Sequence, residues 1–127
     1  MKNVEVVAAT IQNDDKFLAT QRGYGEFKGL WEFPGGKIDD DETQEEALIR
    51  EIKEELNCDI KIKKFFLTIE YDYPTFHLIM HCFLCELLSE FTLLEHEDFE
   101  WLNKSNLMDV EWLEADIEVV NYLLEQL

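Results

Sequence analysis

No stretch of this chain stays apolar for the roughly 20 residues that a membrane-spanning helix needs. The opening residues carry neither a long apolar run nor a small-residue cleavage site, so no membrane contact and a cytoplasmic location are expected. Proline occurs 2 times and glycine 5 times in 127 residues, which excludes collagen-like repeats and Pro/Gly-rich linkers. Cysteine occurs 3 times, too few and too odd for a disulfide framework. Basic residues are scarce: 11 Lys and Arg stand against 29 Asp and Glu, a net charge of −18. A nucleic acid polymer, which is held through its phosphates by a basic surface, is therefore not an expected partner. A small nucleotide remains open, because a bound cation inverts the local field.

What is present is a globular composition. Apolar residues make up 46% of the chain, enough for one core, and the length fits a single domain over residues 1–127. Monomer and homodimer are equally open. Val4–Ile11 and Lys16–Gln21 read as a hairpin around Asn13–Asp15, and Leu30–Phe33 as a short strand stopped by Pro34-Gly35-Gly36. Thr43 with Glu46 is a capping-box pattern that starts a helix running to Leu56. Leu48, Ile49, Ile52 and Leu56 are expected to dock that helix on a sheet.

Two long strands follow, broken at Pro74, then a loop leading to a short strand around Trp101. Ser105 is placed to cap a helical turn. Ile117, Val120, Leu123, Leu124 and Leu127 mark a C-terminal helix. Cys82 and Cys85 form a C-x-x-C, but inside strand text residues three apart face opposite ways, so buried thiols are expected there. The order of elements predicts an α+β fold, a mixed sheet flanked by helices.

The segment Gly35–Cys58 holds nine acidic side chains in 24 residues. Glu51, Glu54 and Glu55 crowd the end of the helix, Glu55 about 40° to one side of Glu51 and Glu54 about 60° to the other at 100° per residue. Like charges at this spacing repel, and the helix dipole is negative there. Hard oxygen ligands on a rigid helix suit Mg²⁺ or Mn²⁺, which would relieve the repulsion. A solvated acidic face is the plain alternative.

Gly36, five residues, Glu42, seven residues, then Arg50-Glu51-Ile52-Lys53-Glu54-Glu55-Leu56-Asn57-Cys58 resembles the Nudix box, with six of its seven fixed letters in place. Asn57 stands where the box has glycine, and Asn tolerates the left-handed conformation expected there. "LWEFPGGKI" and "EHEDFEW" resemble the MutT-like and CTP pyrophosphohydrolase-like branch.

The resemblance implies an α/β/α sandwich. It further implies Mg²⁺-dependent hydrolysis of a nucleoside triphosphate to the monophosphate and pyrophosphate, with 8-oxo-dGTP, CTP or a modified dCTP as candidates. The same resemblance implies metal binding by Glu51, Glu54, Glu55 and the carbonyl of Gly35. Arg50 would position the glutamates and Glu42 would tie the loop to the helix. Arg22 and Lys37 would face phosphates, and Glu32 and Phe33 would lie beside the nucleoside. Glu100, then Glu95, are the candidates for general base, and Asp116 for reading the base. His77, His81 and His96 are assigned no role. The alternatives are hydrolysis of a nucleoside diphosphate sugar or dinucleotide such as ADP-ribose, and a non-catalytic nucleotide-binding module.

Overall fold

The computed structural model describes residues 1–126. Its elements are β1 (Lys2–Asn13), β2 (Lys16–Arg22), β3 (Trp31–Glu32), β4 (Gly35–Lys37), α1 (Gln44–Leu56), β5 (Ile60–Tyr73), β6 (Phe76–Leu87), β7 (His96–Leu102), a 3-10 turn (Leu107–Asp109) and α2 (Glu114–Gln126). The sheet runs β3-β2-β1-β6-β5, with β4 added to β1 and β7 to β2. β1 and β6 are parallel, and the remaining pairs are antiparallel. Among the described residues no helix is long and apolar enough to cross a membrane.

The strands alternate between two helices. Val7, Ala9, Ile11, Leu18, Phe83 and Cys85 face α1, where Leu48, Ile52 and Leu56 cover them. Ala8, Phe17, Ala19, Met80 and Cys82 face α2, under Val119, Val120 and Leu123. Each such leucine contributes about 1.5–3 kcal/mol by leaving water. Cys82 and Cys85 thus sit on opposite faces as free thiols, and burial pushes both pKa values up.

Four local expectations change. Ile49 is half exposed, and Ala47 packs in the core instead, because the docked stripe is narrower than the sequence pattern. Ser105 does not cap the 3-10 turn: its hydroxyl donates to Oδ1 of Asn103 at 2.7 Å, and Asn106 takes the cap position without a side-chain bond. The strand around Trp101 extends back to His96, since β2 pairs with it along its length. The short strand before Pro34 is confined to Trp31–Glu32. Leu127 lies outside the described residues.

β1 and β2 pair only at Gln12–Phe17 and Asn13–Lys16. Beyond that turn they diverge, β1 toward β4 and β6, β2 toward β3 and β7. The wedge between them carries the site.

Candidate active site

The capping box forms at the start of α1: Thr43 Oγ1 accepts from Glu46 N at 3.1 Å, and Glu46 Oε1 accepts from Thr43 N at 2.9 Å. Asn57 ends the helix at φ 48° and ψ 44°, the left-handed conformation that its place in the box demands. Between these ends the helix presents its carboxylates to β4. Two glycines make the approach possible. A Cβ on Gly35 would stand 2.0 Å from the Val7 carbonyl oxygen, and one on Gly36 would stand 2.4 Å from the Glu51 carboxyl carbon.

Arg50 organises the box. Its Nε and Nη2 donate to the two oxygens of Glu42 at 2.7 and 2.9 Å, its Nη1 donates to Glu51 Oε1 at 2.9 Å, and Nη2 also donates to the Lys37 carbonyl at 3.0 Å. Glu42 accepts from Asp39 N as well, at 2.8 Å. The bond from Arg50 holds the Glu42 carboxyl below its usual pKa, and the guanidinium pKa is raised in return. Glu42 thus ties the 37–42 loop to the helix.

The three helix glutamates occupy a gradient of burial. Glu54 is 55% exposed and meets Arg50 only at 3.4 Å. Glu51 is 16% exposed, and burial raises its pKa. Glu55 is buried, accepts from Gly35 N at 3.1 Å, and is pushed up to about 9 by burial first and then by the charges of Glu32 and Glu51. Among the described residues no three His, Cys, Asp or Glu side chains converge as a ready-made cation cage. The donors fit a hard divalent cation all the same. They are carboxylate oxygens, and beside burial the charges of neighbouring glutamates raise Glu51 and Glu55, which is surplus negative charge at one spot.

The candidate general bases separate. Thr92 N and Leu94 N donate to the last helix carbonyls, of Leu56 and Glu55, at 2.8 and 2.9 Å. This docks the 92–95 segment on the end of α1, and the charge of Glu95 raises both Glu51 and Glu55. Glu100 stands exposed on β7 opposite Ala19, a residue of the α2-side core, while its neighbour Trp101 packs on the α1 side. Strand alternation therefore turns Glu100 away from α1, whereas the segment that carries Glu95 is docked on the end of that helix.

Beyond Gly35 and Gly36 a cleft opens on the α2 side of β1. Arg22, Phe27, Glu32, Phe33, Tyr73 and Asp116 line it, over a floor of Ala8 and Met80. Phe33 stacks on Trp112 with ring centroids 4.7 Å apart. Tyr73 stacks on Phe76 at 5.0 Å, and its hydroxyl accepts from Ala115 N at 3.1 Å. Lys37 pairs with Val6, which lines the cleft, so the lysine shares that face. Trp31 and Tyr71 do not line the cleft.

Asp116 is buried, and its Oδ1 accepts from Phe33 N at 3.0 Å. Its side chain therefore bridges α2 to the turn after β3. Burial first, then the charge of Glu32, pushes its pKa up to about 8. Arg22 and Glu32 form a two-point pair at 2.6 and 3.2 Å. His96 adds a contact from Nε2 to Glu32 Oε2 at 3.2 Å, while its buried Nδ1 has no partner. An unpaired buried polar atom costs about 1–3 kcal/mol. The chain pattern offers no local signal for His96 in this role, because its partner lies 64 residues away.

A NUDIX domain model matches residues 1–123. The CTP pyrophosphohydrolase of Escherichia coli is 31% identical over 122 residues, covering 94% of this chain and 90% of that protein. The 8-oxo-dGTP diphosphatase of Haemophilus influenzae is 30% identical over 128 residues, covering 98% and 94%. The solution structure of the DNA mismatch repair protein MutT from methicillin-resistant Staphylococcus aureus matches with a TM-score of 0.77 at 38% identity, covering 99% of each chain. With the box geometry and the family match running over nearly the whole length, the chain belongs to the Nudix hydrolase family.

Proposed function

We propose that this protein is a Mg²⁺-dependent nucleoside triphosphate pyrophosphohydrolase that releases a nucleoside monophosphate and pyrophosphate. It is a nucleotide pyrophosphohydrolase by its relatives, named for CTP and for 8-oxo-dGTP. The observation that carries the reading is continuity: one cleft runs from Asp116 and Phe33 to Gly35 and Gly36, against which Glu51 and Glu55 lie. A nucleoside in the cleft has its phosphates at the box.

Nudix hydrolases generally need a divalent metal ion. Glu51, Glu54, Glu55 and the Gly35 carbonyl are the groups to hold it, with Mn²⁺ as a substitute. The ion supplies charge neutralisation on the phosphate oxygens and acidifies water. Arg50 orients Glu51, Glu95 accepts the proton of the attacking water, and Arg22 and Lys37 take the phosphate charge. Water adds to phosphorus as the bond between the α and β phosphates breaks, and the products are the monophosphate and pyrophosphate.

Phe33 and Tyr73 supply flat apolar walls for a base. At neutral pH Asp116 is protonated, so it offers a donor as well as an acceptor, as an asparagine would. That pair of functions suits the O6 and N1–H edge of an oxidised guanine and the N3 and N4–H₂ edge of a cytosine. The test is a panel including 8-oxo-dGTP, dGTP, CTP, dCTP and ADP-ribose with Mg²⁺, scoring pyrophosphate release. Pyrophosphate from a triphosphate upholds the reading. Turnover of ADP-ribose alone, giving AMP and ribose phosphate, transfers the site to the sugar-nucleotide class, and no turnover at all leaves a binding module.

A further inference from the structure

β2 and β7 pair regularly from Phe17–Leu102 to Gln21–Asp98, and then the register slips so that Arg22 faces His96. A regular ladder would set Glu97 there. The extra residue is a β-bulge, a device that re-aims a side chain. It turns His96 inward until 3% of the side chain is exposed. Nε2 then meets Glu32 Oε2, while Nδ1 is sealed from water and unpaired. A carboxylate only accepts, so the proton of the imidazole belongs on Nε2. The ring is buried for a single bond.

That bond falls on a group already committed. Glu32 Oε1 takes Nη2 of Arg22 at 2.6 Å, and Oε2 takes Nε at 3.2 Å. The guanidinium also lies over the Phe27 ring, 5.9 Å from its centroid. Clamped on one edge and one face, Arg22 keeps Nη1 without a protein acceptor among the described residues, on the wall of the cleft.

We propose that His96 is a positioning residue: its Nε2–H fixes the Glu32 carboxylate, which holds Arg22 preset for the phosphates of the nucleotide. The role rests on the pyrophosphohydrolase reading. Its energetic content is pre-organisation, since the flexible arginine is ordered before substrate arrives. Loss of His96 should therefore appear in substrate affinity before it appears in the chemical step.

The first test needs no turnover. Nitrogen-resolved NMR of histidine-labelled protein should find an imidazole locked in the Nε2–H form that is lost in His96→Leu and shifted in Glu32→Gln. An Nδ1–H or rapidly exchanging His96 overturns the proposal. The second test is kinetic, on variants whose near-UV circular dichroism is native. His96→Leu should raise KM about 10-fold, the scale of one charge-assisted hydrogen bond, with kcat within threefold. His96→Gln, whose amide can donate, should recover most of the loss.

Arg22→Ala and Arg22→Ala/His96→Leu should match within about twofold, because His96 acts through Arg22. Additive losses, or an unchanged KM in His96→Leu, overturn it. A wild type that hydrolyses no nucleotide defeats the pyrophosphohydrolase reading instead, and the tautomer result still decides whether His96 fixes Glu32.

Discussion

The carboxyl of Glu51 lies where the side chain of any other residue at Gly36 would begin, 2.4 Å from an ideal Cβ. The obstacle is the tip of a flexible side chain, so Gly36→Ala should fold, with Glu51 displaced. The expected result is a loss of about 10²-fold in kcat with weaker Mg²⁺ activation and a Tm within a few degrees of wild type. At Gly35 the obstacle is the Val7 backbone carbonyl at 2.0 Å, which cannot step aside. Gly35→Ala should lose stability as well as activity. Thermal melts beside kinetics tell the two apart, and equal melting losses would refute the distinction.

Glu55 makes stability depend on pH in a defined direction. Its folded pKa of about 9 stands above the 4.5 of an ordinary glutamate. The folded state therefore holds the proton more tightly. The stability this gives is complete below about pH 4.5 and is lost as pH rises toward 9. Glu55→Gln removes that loss. Without metal the variant should be more stable than wild type at pH 8 and little changed at pH 4.5. Added Mg²⁺ should stabilise wild type and leave the variant nearly unmoved. Melting curves across pH, with and without Mg²⁺, check both parts.

Glu54 is the helix carboxylate with least to lose. It is half exposed, and its contacts to Arg50 are long. Glu54→Gln should keep or slightly raise the metal-free Tm, since a repulsion is removed. It should nevertheless lower kcat by about 10²-fold or more, the scale of lost charge or metal stabilisation. Near-wild-type turnover in a pure sample would remove Glu54 from the ligand set.

The helix and its ends were legible because their causes are local. Thr43 and Glu46 cap within one turn, and Asn57 takes the left-handed conformation that its place in the box predicts. The cleft was legible only in part, because its contacts join distant segments. Phe33 N meets Asp116 across 83 residues, and His96 meets Glu32 across 64. Glu95 and Glu100 are indistinguishable as text. They separate only through strand alternation about Trp101 and the docking of Leu94 N on the end of α1. Ile49 has the spacing of a core residue, yet it is half exposed while Ala47 packs in the core.

Asp116 sets the last expectation, on base selection. Its proton persists to about pH 8 because the carboxyl is buried and Glu32 is charged nearby. Phe33 N occupies one lone pair of Oδ1, and the remaining acceptor and the acidic proton are left for the base. Asp116→Asn keeps one donor and one acceptor, so it should hold base preference at pH 7. Asp116→Ala should lower kcat/KM for the best base about 10-fold, with far smaller changes for poor substrates. In wild type the ratio of best to poor kcat/KM should fall as pH passes about 8, as the donor is lost, and in Asp116→Asn it should stay flat. The ratio cancels phosphate chemistry common to all substrates, including any titration of the box. Equal losses across all bases in Asp116→Ala, or a wild-type ratio flat through pH 9, would reduce Asp116 to a structural brace between α2 and the Phe33 turn.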